Sequence, residues 1–275
     1  MMRVVITDST AYLPDDYIKE NNIKVVPLNV HLGNEVFKEG YYDNKTYYNR
    51  LRNEKIFPST SQPAVGEFLE IYEQLKPGDE AFVIVLSAAL SGTYQSAEMA
   101  KDLLKTDNIK IHLVDSKSAA IGLGFQIYKV QEMLDSNETT ENIINEIYKI
   151  QQNGKLFFAV GNLEYLVRGG RVSHLSGFLG NILQMKPILT LEDGKISLHE
   201  KVRTSQKAYH KMMDYLITDI DKIEKISLLH VDALEELKIL EEILRAHYTG
   251  PIVVTEPGPV IGSHVGPGTV GIAYY

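Results

Sequence analysis

Short β-branched runs alternate with helix-period stretches through the first half of the chain, which predicts an α/β fold built on a mainly parallel sheet with helices on both faces. From residue 155 the pattern changes. An Asp-Gly pair between two strand-like runs marks an antiparallel hairpin, so the second half is expected to be a mixed α/β unit. A chain of 275 residues, 44% hydrophobic and 23% charged, has the length for two domains and the composition to bury their cores. The expected division is residues 1–153 and 154–275.

The strand candidates of the first half are residues 3–7 (RVVIT), 24–30, 81–86 (AFVIVL) and 110–114, each short and rich in valine, isoleucine or leucine. Between them, residues 67–75 and 94–104 carry apolar side chains three and four apart, the spacing of core-facing crossover helices. Two more helical stretches, 119–134 and 141–152, are separated by the polar DSNETT segment. The second half opens with the strand LFFAV at 156–160, followed by the glycine-rich stretch LVRGGRVSHLSGFLG. PILTLEDGKISLHEKV is then a hairpin turning at Asp193-Gly194. A helix at 205–217, a strand at 225–230, a helix at 233–247 and a strand at 252–255 complete the unit. The C-terminal PGPVIGSHVGPGTVG reads as a glycine-rich loop.

Charge and composition narrow the function. Subtracting 36 acidic from 28 basic residues gives −8, which argues against a broad phosphate-tracking surface for nucleic acid. The absence of cysteine excludes disulfides, thiolate zinc sites and cysteine nucleophiles. No signal peptide and no apolar run long enough to span a membrane is visible, so a cytoplasmic location without stable membrane insertion is expected. Gly266, Gly268 and Gly271 fit G-x-G-x-x-G, but too few residues follow for a helix to open there. Nucleoside-triphosphate loops, H-E-x-x-H and G-x-S-x-G are absent from the sequence.

In open α/β sheets ligands bind beyond the carboxyl ends of the strands, and here those positions are rich in hydroxyls: Asp8-Ser9-Thr10, Ser87 and Asp115-Ser116. Ser91-Gly92-Thr93 opens a helix, where free N–H groups and the positive end of the dipole suit a carboxylate or phosphate; plain N-capping is the alternative. Pro58-Ser59-Thr60-Ser61-Gln62-Pro63 is a second hydroxyl cluster on an extended segment, functional or simply a linker. His264 is the only titratable side chain in the C-terminal glycine-rich segment. Arg168 and Arg171 flank two glycines and Arg203 follows the hairpin; they are anion contacts or solvated surface charges. Asp8, Ser91 and His264 have the residue types of a hydrolytic triad, which keeps a serine-type hydrolase or acyl transferase open.

The motifs ITDSTAYLP, PSTSQP, LSAALSGTYQSA, VDSKSAAIGLG, LVRGGRVS and EPGPVIGSHVGPGTVG, in this order across the whole chain, resemble the DegV family, which includes the FakB-type fatty-acid-binding proteins. The resemblance implies a two-domain α/β fold with one long-chain fatty acid in a tunnel between the domains. It implies a carrier that presents the acyl carboxylate to a FakA-type fatty acid kinase subunit for acyl-phosphate formation, with no cofactor, metal or catalytic residue of its own. Carried over by motif, Thr60 or Ser61 and Ser91 would hydrogen-bond the carboxylate. Gly92 and Thr93 would supply helix-start amides, and His264 would lie beside the head group. Arg168, Arg171 and Arg203 would belong to the kinase-facing surface. A lipid-responsive transport or regulatory protein would carry the same motifs.

Overall fold

Valine- and isoleucine-rich segments become buried strands because both of their faces are covered by helices. The computed structural model describes residues 2–54, 56–172 and 185–275. Residues 173–180, the second part of the glycine-rich stretch, lie outside the described residues.

The first half runs β1 (Arg3–Asp8), α1 (Asp15–Glu20), β2 (Lys24–Val26), β3 (Asn29–Leu32), β4 (Glu35–Lys38), α2 (Asn44–Glu54) and β5 (Ser59–Ser61). It continues through α3 (Val65–Tyr72), β6 (Glu80–Val85), α4 (Thr93–Leu103), β7 (Lys110–Asp115), α5 (Ile121–Asp135) and α6 (Thr140–Asn153). Strands β2-β1-β6-β7 form a parallel sheet in that order. Val4, Ile6, Val83 and Val85 turn one face toward Phe68 and Tyr72 of α3 and Ala97 and Ala100 of α4. Val5, Phe82 and Ile84 turn the other toward α5 and α6. This is the parallel, doubly covered sheet that the alternation predicts.

One expectation is corrected. Residues 24–30 are not a single strand: Pro27, which has no N–H to give a ladder, divides it. Lys24–Val26 stays in the parallel sheet, whereas Asn29–Leu32 joins a separate three-stranded antiparallel sheet ordered β4-β3-β5. The serine- and threonine-rich segment forms β5 there, with Thr60 opposite Val30.

The second half contains β8 (Lys155–Ala159), α7 (Leu163–Gly169), β9 (Lys186–Glu192), β10 (Lys195–Val202), α8 (Ser205–Asp219) and β11 (Ile226–Val231). It ends with α9 (Leu234–Arg245), β12 (Val253–Thr255), α10 (Pro259–Val265) and β13 (Thr269–Tyr274). Its six-stranded mixed sheet is ordered β10-β9-β8-β13-β11-β12, with only β11 and β12 parallel. Phe157, Ala159, Ile188, Leu228 and Ile272 face α8 and α9. Phe158, Val160, Leu189 and Val231 face the opposite way, onto Leu28, Val30 and Tyr47 of the first half.

The C-terminal segment is a second correction, since it is not a loop. Pro259 at the first turn and Gly266 past the end, at φ +77°, bracket α10, and TVGIAY forms the interior strand β13. Gly271 is required within that strand because a Cβ would stand 2.5 Å from the Phe157 carbonyl oxygen.

Candidate functional site

The inner face of the six-stranded sheet and the carboxyl end of the parallel sheet enclose an apolar cavity. It holds about 770 Å³ of space between atoms, part of it open to solvent. Leu86, Leu90, Phe158, Leu191, Leu229 and Val260 supply much of its wall, and Thr60, Ser91, Arg171 and His264 are polar side chains among its lining.

Strand geometry decides which hydroxyl of the TSQP motif reaches the cavity. Side chains alternate along β5, so Thr60 points inward while Ser59 and Ser61 are exposed. The Thr60 hydroxyl lies 2.7 Å from His264 Nε2. Ser61 is engaged on the outer side, with His31 Nε2 at 3.0 Å and Asn29 Nδ2 at 3.3 Å.

At the start of α4, Gly92 is the capping residue, and the Ser91 hydroxyl lies 2.9 Å from the Thr93 hydroxyl. Ser91 lines the cavity and Thr93 is buried beneath it. Gly92 lies under the Gln62 side chain, whose Oε1 would be 2.0 Å from a Cβ at that position. Gln62, which also donates to Ser96 Oγ at 3.3 Å, belongs to the PSTSQP motif, from which no role at the site follows for it.

His264 sits in the last turn of α10. Burial first, and the Arg171 charge second, push its pKa down to about 3, so the ring is neutral at ordinary pH. Its Nδ1 is buried without a hydrogen-bond partner, and a Cβ at Gly169 would approach that nitrogen to 2.5 Å. Arg171 departs from the outward placement expected of the arginines. Its Nε donates to the Leu90 carbonyl at 3.2 Å, its Nη1 donates to the Gly169 carbonyl at 2.6 Å, and the side chain lines the cavity. Partial burial lowers its pKa, but an arginine stays charged. Arg168 is exposed, paired with Glu164 at 2.7 Å and stacked 3.9 Å above the Phe57 ring; Arg203 is exposed beyond β10. The structure thus brings Thr60, Ser91, Arg171 and His264 to one cavity and leaves Ser61, Gly92, Thr93, Arg168 and Arg203 outside its lining.

The triad types do not meet. Asp8 is fully buried and its carboxylate accepts from the Thr10 N–H, the Thr10 hydroxyl and the Leu86 N–H. His264 Nε2 faces Thr60 and Ser91 faces Thr93, so the nucleophile–base–acid hydrogen-bond chain of a hydrolase is missing.

Residues of the first half hold α10 in place. Glu39 accepts from the Val260 N–H at 2.7 Å, the Tyr12 hydroxyl at 2.9 Å and the Ser9 hydroxyl, and Tyr12 in turn accepts from the Ile261 N–H at 3.1 Å. Tyr48 donates to the Pro257 carbonyl at 2.8 Å, and Tyr47 lies 2.8 Å from the Ser263 hydroxyl. Sequence reasoning missed this cluster because its members lie more than 200 positions from α10. Burial, reinforced by the Asp8 charge, pushes Glu39 up to about 7 despite these donors.

A carboxyl raised above its unfolded value contributes stability below about 4.5 that is lost as pH rises through about 7. His264, lowered to about 3, works the other way: its contribution is present above about 6.5 and is lost as pH falls toward 3. Glu39→Gln is therefore expected to gain stability relative to the native protein between pH 5 and 8, read as the difference in denaturant midpoint at each pH. A constant difference across that range would contradict the Glu39 assignment.

Among the described residues no group of three His, Asp or Glu side chains is placed to hold a metal ion. No described helix is long and apolar enough to cross a membrane.

An α/β fold with an apolar cavity and a small polar cluster in its wall has the shape of a small-molecule site. The model of the "Uncharacterised protein, DegV family" group matches residues 3–275, and the chain belongs to the DegV family. A DegV domain-containing protein of Listeria innocua is 36% identical over 278 residues, covering 98% of this chain and 97% of the relative. The crystal structure of DegV from Bacillus subtilis, described as a fatty acid binding protein, superposes with a TM-score of 0.90 at 33% identity, covering 99% of this chain and 98% of that one. A DegV family protein from Thermus thermophilus, described for its fatty acid binding, gives 0.91 at 31% identity, covering 100% and 99%.

Proposed function

We propose that this protein binds one long-chain fatty acid, with the tail in the apolar cavity and the carboxylate at Thr60, Ser91, Arg171 and His264, and presents that carboxylate to a fatty acid kinase subunit. The observation that carries this is the gathering of Arg171, the hydroxyls of Thr60 and Ser91 and a neutral imidazole on the wall of one cavity. That cavity is otherwise apolar apart from Thr269, whose hydroxyl is spent on the Val265 and Gly266 carbonyls. The two fatty-acid-binding relatives of known structure support it.

The energetics fit. Each buried methylene is worth about 0.8 kcal/mol, so a long tail supplies most of the affinity. Burying an unpaired carboxylate costs several kcal/mol, so the head group stops where donors are available. Arg171 offsets the charge, and the hydroxyls of Thr60 and Ser91 fix its position. The carboxylate remains a nucleophile toward an incoming phosphoryl group, and the protein needs none of its own. Arg168 and Arg203, outside the cavity lining, suit a partner that carries phosphates.

The kinase step is tested by incubating the lipid-loaded protein with ATP and the fatty acid kinase subunit of the same cell, trapping acyl phosphate with hydroxylamine. Acyl hydroxamate that requires both proteins is expected. A loaded carrier that gives no product with an active kinase subunit would leave a transport or regulatory lipid binder.

A further inference from the structure

The apolar cavity has a second chamber behind it, and two leucines stand in the wall between them. Leu156 on β8 and Leu191 on β9 line both cavities. The β8–β9 register, with Phe157 opposite Thr190 and Phe158 opposite Leu189, puts Leu156 opposite Leu191 one step further along. Side chains so placed are close enough to touch. Gly122 of α5 abuts Leu156: a Cβ there would lie 3.6 Å from Leu156 Cδ1.

The second cavity encloses about 1090 Å³ of space between atoms, also partly open to solvent. Its chemistry is mixed, with Lys117, Lys155, Asp193 and Gln126 beside Phe125 and Ile150, so it offers a lengthened tail room on its apolar side only. Leu156 stands away from the His264 end of the cavity. Gly161, just past the end of β8, packs against Pro267 and Gly268, which follow the helix that carries His264. Gly161 is five steps along the chain from Leu156, at most about 17 Å at about 3.4 Å per step.

We propose that the Leu156–Leu191 pair is the partition that limits how long an acyl chain the protein accepts. The inference rests on the fatty-acid reading and adds to it the element that measures the tail. Methylenes up to the partition are buried against apolar side chains and add to affinity. One more would have to displace a leucine from a close-packed strand pair. Leucine to alanine removes three carbon atoms at either position and joins the two chambers. Leucine to phenylalanine narrows the passage.

The test is competition for the protein by a ladder of saturated fatty acids of increasing length, with the bound species read by native mass spectrometry. Leu156→Ala and Leu191→Ala are expected to move the preferred length up by about two to four carbons, the space of the atoms removed. Leu156→Phe is expected to move it down. Leu90→Ala, at a residue that lines the first cavity beside Ser91 and is not part of the second, should lower occupancy without shifting the preferred length. An unshifted length profile in the alanine variants and in Leu156→Phe, with binding by the native protein intact, would overturn the partition. Failure of the native protein to take up any fatty acid would instead strike the fatty-acid reading beneath it.

Discussion

Arg171→Gln is expected to weaken binding of a long-chain fatty acid about 100-fold while leaving the corresponding fatty alcohol nearly unaffected. Arg171 is the arginine among the described residues lining the cavity, and its charge is felt at His264. Removing one partner of a desolvated charge pair costs about 3–5 kcal/mol. Arg171 is only partly buried, so about 3 kcal/mol is the appropriate scale, and that is about two decades in Kd. The alcohol has no charge to lose. Titration calorimetry with both ligands reads the difference; equal losses for acid and alcohol would make Arg171 a packing residue instead. The same variant should let the His264 pKa rise from about 3, because one of the two causes holding it down is gone.

Gly262→Ala is expected to destabilise the fold by about 2–4 kcal/mol, the sum of overpacking and disturbed buried hydrogen bonds. A Cβ at Gly262 would stand 2.0 Å from the Tyr48 hydroxyl and 2.8 Å from its ring. Tyr48 cannot retreat easily. It is fully buried, and its hydroxyl holds the Pro257 and Gly258 carbonyls at 2.8 and 3.1 Å. Either the tyrosine or α10 must move, and α10 carries His264 two residues further on. Thermal unfolding should show a drop of about 5–15 °C for a chain of this size. Tyr48→Phe in the same protein should restore part of the loss by removing the nearest atom. An unchanged melting temperature in Gly262→Ala would mean that α10 is not clamped as described.

How much of this was legible in the sequence follows from what each signal measures. The parallel strands were readable because burial on both faces demands unbroken apolar runs, as in AFVIVL. The hairpin was readable because Asp193 and Gly194 take the positive φ angles, +47° and +77°, that such a turn requires. Residues 24–30 read as one strand because they are rich in valine and leucine, and that composition hides the split at Pro27 between two sheets. The C-terminal helix was hidden by its own glycines. Gly262 and Gly266 are there because Tyr48 and Tyr165 pack against the backbone, a tertiary reason that mimics a loop signal.

At the site, the motif residues Thr60, Ser91 and His264 were found from local chemistry and resemblance, and the structure places all three on the cavity wall. Choosing Thr60 over Ser61 needed the strand register, and separating Arg171 from Arg168 needed the end of α7, where Gly170 turns the chain at φ +72°. Glu39 carries no local signal, and the motifs that contain Tyr12 and Gln62 say nothing of what those side chains touch. Their roles exist only once distant segments meet.

The central claim is that the cavity carries one long-chain fatty acid. It is tested most directly by native mass spectrometry of the purified protein, followed by denaturation and identification of the released molecule. The account predicts a mass excess matching a single long-chain fatty acid, lost on unfolding. Protein that is empty, and whose melting temperature does not move when fatty acids are added, would contradict it.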